Sequence, residues 1–107
     1  MTVRPMGEVM ASRSLTAERG PDGPVFPIAL ELGRPRPAED GESWVCPCRI
    51  AGLGDEPVRE VHGVDGIQAV DLAGRLVRDL LVGAAREQGL TFRWGEETGL
   101  DATDVVV

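Results

Sequence analysis

The sequence predicts an α+β domain: an antiparallel sheet of four to five strands with one long helix packed on one face. Three observations carry this. Apolar residues alternate with polar ones through the first half of the chain, the strand period. Between Gly66 and Gln88, Ala69, Val70, Ala73, Leu76, Val77, Leu80, Leu81 and Ala84 fall on one side at helical spacing, with Gln68, Asp71, Arg75, Arg78, Asp79 and Arg86 opposite. The run Gly63-Val64-Asp65-Gly66-Ile67-Gln68-Ala69 switches one order to the other. There Asp65 can accept from the free amides of the first helical turn, and Gln68 can reach back to the amide of Asp65, a capping box.

The elements follow in order. Residues 1–7, with Pro5 and Gly7, read as a loose start. From Glu8 to Ala17, Val9, Ala11, Leu15 and Ala17 recur at even spacing, interrupted by Arg13, as in a strand with one wet face. Gly20-Pro21-Asp22-Gly23-Pro24 has the size and residues of a hairpin connection. A second strand puts Phe26, Ile28, Leu30 and Leu32 on one side and Pro27, Ala29 and Glu31 on the other. Arg34-Pro35-Arg36-Pro37 and Glu39-Asp40-Gly41-Glu42 break the alternation as a solvent loop. Trp44, Cys46, Cys48 and Ile50 form a third strand, whose Pro47 points outward and cannot donate to a ladder, so that an edge position or a bulge is expected.

Gly52 to Pro57 is a turn, and Val58 to Gly63 a short fourth strand leading into the helix cap. Gly89 is placed to stop the helix in the left-handed conformation, with Arg86 near its negative end. Gly74 and Gly83 inside the helix weaken it by about 1 kcal/mol each relative to alanine, so packing must stabilise it. Leu90, Phe92 and Trp94 alternate in a last strand or extended segment. The tail 96–107 has no period and is expected to be a loose end.

At 107 residues the chain is read as one domain, able to bury about two thirds of its unfolded surface around a single core. Eighteen acids against 11 bases give a net charge of −7, and the bases are scattered from Arg4 to Arg93. A polyanion would repel such a surface, so nucleic acid and anionic membrane are poor partners. No stretch approaches the length of apolar sequence needed to span a bilayer, and no basic segment followed by an apolar run stands near the start. All the bases are Arg, and Lys, Asn and Tyr are absent, the drift of a GC-rich bacterial genome. Two cysteines two residues apart fit a reduced, cytoplasmic protein better than a disulfide scaffold.

Trp44-x-Cys46, Ile50-x-Gly52, Gly63-Val64-Asp65 with Gln68-Ala69, and the closing Leu90 and Trp94 together resemble a family of small bacterial proteins of unknown function. The resemblance runs from about Ser14 to Leu100. It implies a self-standing α+β domain and no activity. Cys48 and Pro47 are not part of the family pattern.

Cys46 and Cys48 on one strand point to the same side and could supply half of a metal site, with His62, the single histidine, as a third ligand. An inward Val61 opposite Cys48 would turn His62 to the other face; a one-residue slip would bring His62 beside Cys46 but bury Glu60. The apolar choice separates imidazole from thiols, so the cysteines read as core residues, with no catalytic residue, cofactor or metal expected. Glu39-Asp40 and Glu96-Glu97 read as solvated loop carboxylates, and Gly52-x-Gly54 lacks the lysine of a phosphate loop.

A single helix covers one side of a sheet. The opposite side, with Val25, Pro27 and Ala29 from the second strand and Val45, Pro47 and Ala51 from the third, is apolar enough to expect an interface with a protein partner or a second copy in a homodimer. The alternative cover is the chain's own N-terminal segment or Val105-Val106-Val107. The leading expectation is a non-enzymatic protein-interaction module of accessory or inhibitor type, working through that face or an edge strand; the alternative is a thiol-dependent metal or redox protein built on Cys46 and Cys48.

Overall fold

A computed structural model describes residues 6–54 and 57–106. Residues 1–5 of the loose start expected at 1–7, Asp55 and Glu56 of the turn after the third strand, and Val107 lie outside the described residues; Met6 is buried. The elements are β1 (Val9–Arg19), β2 (Val25–Gly33), β3 (Arg36–Pro37), β4 (Trp44–Ala51), β5 (Arg59–Gly63), α1 (Gly66–Gln88), β6 (Leu90–Trp94), β7 (Glu97–Leu100) and α2 (Ala102–Val105). The strands pair antiparallel in the order β3-β4-β2-β1-β6-β7, and β5 joins β4.

The α+β class with one long helix is as expected, but the described residues form a sheet of seven strands rather than four or five. The two additional strands are short. β3 is two residues of the Arg-Pro loop, and β7 is a four-residue hairpin return onto β6. The expected loose end at 96–107 contains β7 and α2, the latter started by a reciprocal cap in which Asp101 accepts from the Asp104 amide and Asp104 accepts from that of Asp101.

Helix α1 lies across the inner face of the sheet. Its Ala69, Ala73, Val77 and Leu81 pack with Leu15, Ala17, Ile28, Cys46, Cys48, Ile50, Leu90 and Phe92, and Ala102 and Val105 of α2 close one end of this core. The helix begins at Asp65, whose carboxylate accepts from the Gln68 amide at 2.8 Å. Gln68 reaches one residue further back than expected, taking the amide of Val64 at 2.7 Å rather than that of Asp65. Gly63 is required by proximity: a Cβ there would stand 2.5 Å from the Ala69 nitrogen and 2.9 Å from its Cα. Glycine, cap and the small buried Ala69 thus form one joint between β5 and α1.

Gly89 ends the helix in the left-handed conformation (φ 65°), donating its amide to Ala85. A Cβ on Gly83 would meet no atom within 4 Å. Gly83→Ala is therefore expected to stabilise the fold by about 0.5–1 kcal/mol, read as a rise in the midpoint of chemical unfolding with unchanged slope.

Candidate functional site: the open edge of β1

Cys46 and Cys48 are free and fully buried on the helix side of β4. Burial raises the pKa of both thiols, that of Cys48 from 9.0 to about 11, with the neighbouring Cys46 adding to the effect. Both therefore stay protonated at neutral pH, the opposite of what a nucleophile or a metal ligand needs. Val61 pairs with Cys46 rather than with Cys48, a displacement of two residues that keeps the faces as expected. His62 pairs with Val45 on the outer face, exposed and away from the thiols. Among the described residues no group of three or more His, Cys, Asp or Glu side chains could hold a metal ion.

Cys46 has a structural task that follows from its neighbour. β2 and β3 run along the same side of β4, and the ladder between them breaks where Gly33 faces Pro47. Antiparallel alternation aims the Gly33 carbonyl at the nitrogen of residue 47, and proline has no hydrogen to give. The Cys46 thiol donates to that carbonyl instead, at 3.3 Å. Pro47 therefore lies neither at the expected sheet edge nor in a bulge of its own strand: β4 is paired on both sides, and the interruption falls in the strand beside it.

This arrangement makes a pH prediction. A thiol whose pKa is raised by folding adds stability below its unfolded pKa and loses it as pH climbs to the folded value. Chemical stability should therefore fall between pH 9 and about 11 as Cys48 ionises. At pH 7.5 neither thiol should react with iodoacetamide faster than the chain unfolds; alkylation at the rate of an exposed cysteine would contradict this.

The structure brings together one constellation that the residue pattern did not flag. Asp40 takes the amides of Glu42 and Ser43, which hold its carboxyl below the ordinary value, and it also accepts from the Ser43 hydroxyl at 2.8 Å. Ser43 Oγ lies 3.3 Å from His62 Nδ1. Serine stands between acid and imidazole here, whereas a hydrolytic triad needs imidazole in the middle to take the serine proton. The Asp40-x-x-Ser43 spacing is the signal of a loop turn.

The outer face differs from a bare apolar sheet. Val25 (53% exposed) and Pro27 are open, Ala29 and Ala51 half-buried, but Val45 (3%) and Pro47 are covered. Met6 is buried beside Gly33 and Pro47: a Cβ on Gly33 would meet both the Met6 carbonyl and the Pro47 ring at 2.6 Å. Met6 thus overlies the face at Gly33 and Pro47. Arg36 with Glu60, Arg49 with Glu31 and Arg93 with Glu18 form ion pairs across the strands. The six residues expected to form one interface are therefore divided between cover and solvent.

What remains open is an edge. β1 pairs with β2 along its whole length, but β6 reaches it at Thr16 to Arg19 alone. Arg19 donates to Pro24 on the β2 side and Gly20 to Gly89 on the other. Counting back by alternation, the amides and carbonyls of Arg13 and Leu15 address β2, and those of Ser12 and Ser14 face away from it. No described strand pairs there. Ser12 and Ser14 are exposed, as are Val9 (40%) and Met10 (49%) at the start of the strand. Beside this edge on the helix side runs a cleft of about 280 Å³, lined by Ala11, Leu30, Leu32, Val77, Arg78 and Val106 among others. Arg13 is fixed at its end, stacked 4.3 Å from the Trp94 ring centre and donating to the Val105 carbonyl at 2.9 Å.

Residues 11–103 match the model of a family described as a domain of unknown function (DUF6968). The chain belongs to that family. No curated protein and no solved structure matches the chain. The DUF6968 span opens at Ala11, in the part of β1 that β6 does not reach, and closes at Thr103 in α2, so it includes Ser12, Ser14, the whole helix and the Arg13 to Trp94 stack. No helix among the described residues of this DUF6968 domain is long and apolar enough to cross a membrane. One sequence signal points to the open edge: the first strand outruns the segment Leu90–Trp94, so a five-residue neighbour cannot cover an eleven-residue strand.

Proposed function

We propose that this DUF6968 domain is a non-enzymatic protein-interaction module of the bacterial cytoplasm, which docks an extended segment of a protein on the open edge of β1. The observation that carries this is the outward backbone of Ser12 and Ser14, which no strand among the described residues pairs, next to an apolar cleft. Strand addition draws affinity from main-chain hydrogen bonds and selectivity from alternate side chains, and edge plus cleft offer both. The buried protonated thiols and the serine-centred Asp40–Ser43–His62 order speak for binding rather than catalysis.

A photo-reactive amino acid placed at Ser12 and, separately, at Arg75 on the exposed side of α1 tests the reading in living cells. Adducts to protein are expected from position 12 and not from position 75. Adducts from position 75 with none from position 12 would refute the reading.

A further inference from the structure

The cleft between α1 and the first two strands is a place where the fold leaves a side chain out. Gly74 stands in its helix wall, where a Cβ would meet no atom within 4 Å, and Leu30, Leu32, Val77 and Val106 give it an apolar lining. Packing does not require glycine there, and glycine weakens the interior of a helix; what the missing side chain leaves is room. At the packing density of protein interiors, a cleft of about 280 Å³ takes about 200 Å³ of ligand, the bulk of a carboxylate of about eight to ten carbons.

Charge selects the class of occupant. Among the described residues no acid lines this cleft, although the chain has 18 acids and 11 bases, and the exposed Arg78 does line it. The helix neighbours three and four residues from Arg78 are Gly74, Arg75, Leu81 and Val82. Arg75 is paired with Asp71, and no ion pair joins Arg78 to any described residue. The cleft beside Gly83, the other open helix glycine, differs: Arg49, Arg59, Asp79 and Glu87 line it, charges of both signs with no preference for an anion.

We infer that the cleft beside Gly74 binds a small aliphatic carboxylate, its chain on Leu30, Leu32 and Val77 and its head on the Arg78 guanidinium, whose fork matches a carboxylate. Burial of the chain supplies affinity, and Arg78 sets the orientation. Such a ligand needs no strand on β1, so its binding is decided apart from the docking reading, which the adducts at position 12 decide.

Isothermal titration calorimetry of the full chain with sodium decanoate, below the concentration at which it forms micelles, tests this, with decyltrimethylammonium as the probe of opposite charge. One decanoate per chain is expected, with the cation bound at least about tenfold more weakly. Gly74→Leu fills the room with a residue that favours helix, so it should abolish binding while the denaturant midpoint stays at or above native; Arg78→Gln should weaken binding about fivefold or more. A native chain that shows no saturable binding of decanoate overturns the inference, and so does equal binding of the two probes. Binding that withstands Gly74→Leu or Arg78→Gln overturns it as well, because the ligand then sits elsewhere. Val107, which follows the lining residue Val106, is the rival occupant: decanoate that binds only to a chain ended at Val106 overturns the inference in favour of the chain's own end.

Discussion

Gly63→Val is expected to lower the unfolding free energy by about 4 kcal/mol or more, and to separate β5 from the start of α1. The added Cβ would fall 2.5 Å from the Ala69 nitrogen and 2.9 Å from its Cα, backbone atoms of a helix that cannot move aside alone. Asp65 and Gln68 fix that backbone through the amides of Gln68 and Val64, so relief of the clash breaks the cap too. The measurement is a denaturant midpoint against that of Gly83→Ala. A Gly63→Val chain within about 1 kcal/mol of native would show that β5 and α1 are not joined as described.

Phe92→Ala is expected to cost about 3–5 kcal/mol. Phe92 is fully buried on the helix side of β6, in one core with Leu81 of α1, Ala17 of β1 and Val105 of α2. Truncation opens a void in the core that Ala102 and Val105 of α2 share, where the Val105 carbonyl is also held by Arg13. Loss of α2 should appear as faster amide exchange at Asp104 and Val105 than in the rest of the core. A cost under about 1.5 kcal/mol would mean that β6 does not carry the core.

Much of this fold was legible in the residues. Phe26, Ile28, Leu30 and Leu32 alternate because β2 has one face on the core, and Ala69 to Ala84 keep helical spacing because α1 does. Asp65, Gln68 and Gly89 marked the helix ends because unsatisfied backbone groups there require particular side chains or glycine. β3 and β7 were not legible: two and four residues give no period, and both exist because a neighbouring strand offers them a ladder. α2 had its Asp101 and Asp104 cap in view but too few residues beyond it to show a face.

The candidate site was legible in kind but not in place. Val45 and Pro47 have the outward parity of interface residues, yet both are buried, and the contact between Met6 and Gly33 beside Pro47 joins parts of the chain that no local pattern relates. The edge at Ser12 and Ser14 consists of backbone, which side-chain patterns do not report. Its position follows from which strand ends first, a property of two strands far apart in sequence.

No strand among the described residues pairs the outward amides of β1, and residue-resolved hydrogen exchange in dilute protein measures their state directly. Ser12 and Ser14 are predicted to exchange within about tenfold of an unstructured chain, with Arg13 and Leu15, directed at β2, slower by several orders of magnitude. Exchange at Ser12 and Ser14 as slow as at Arg13 and Leu15 at high dilution would contradict it, because the edge would then be closed from within.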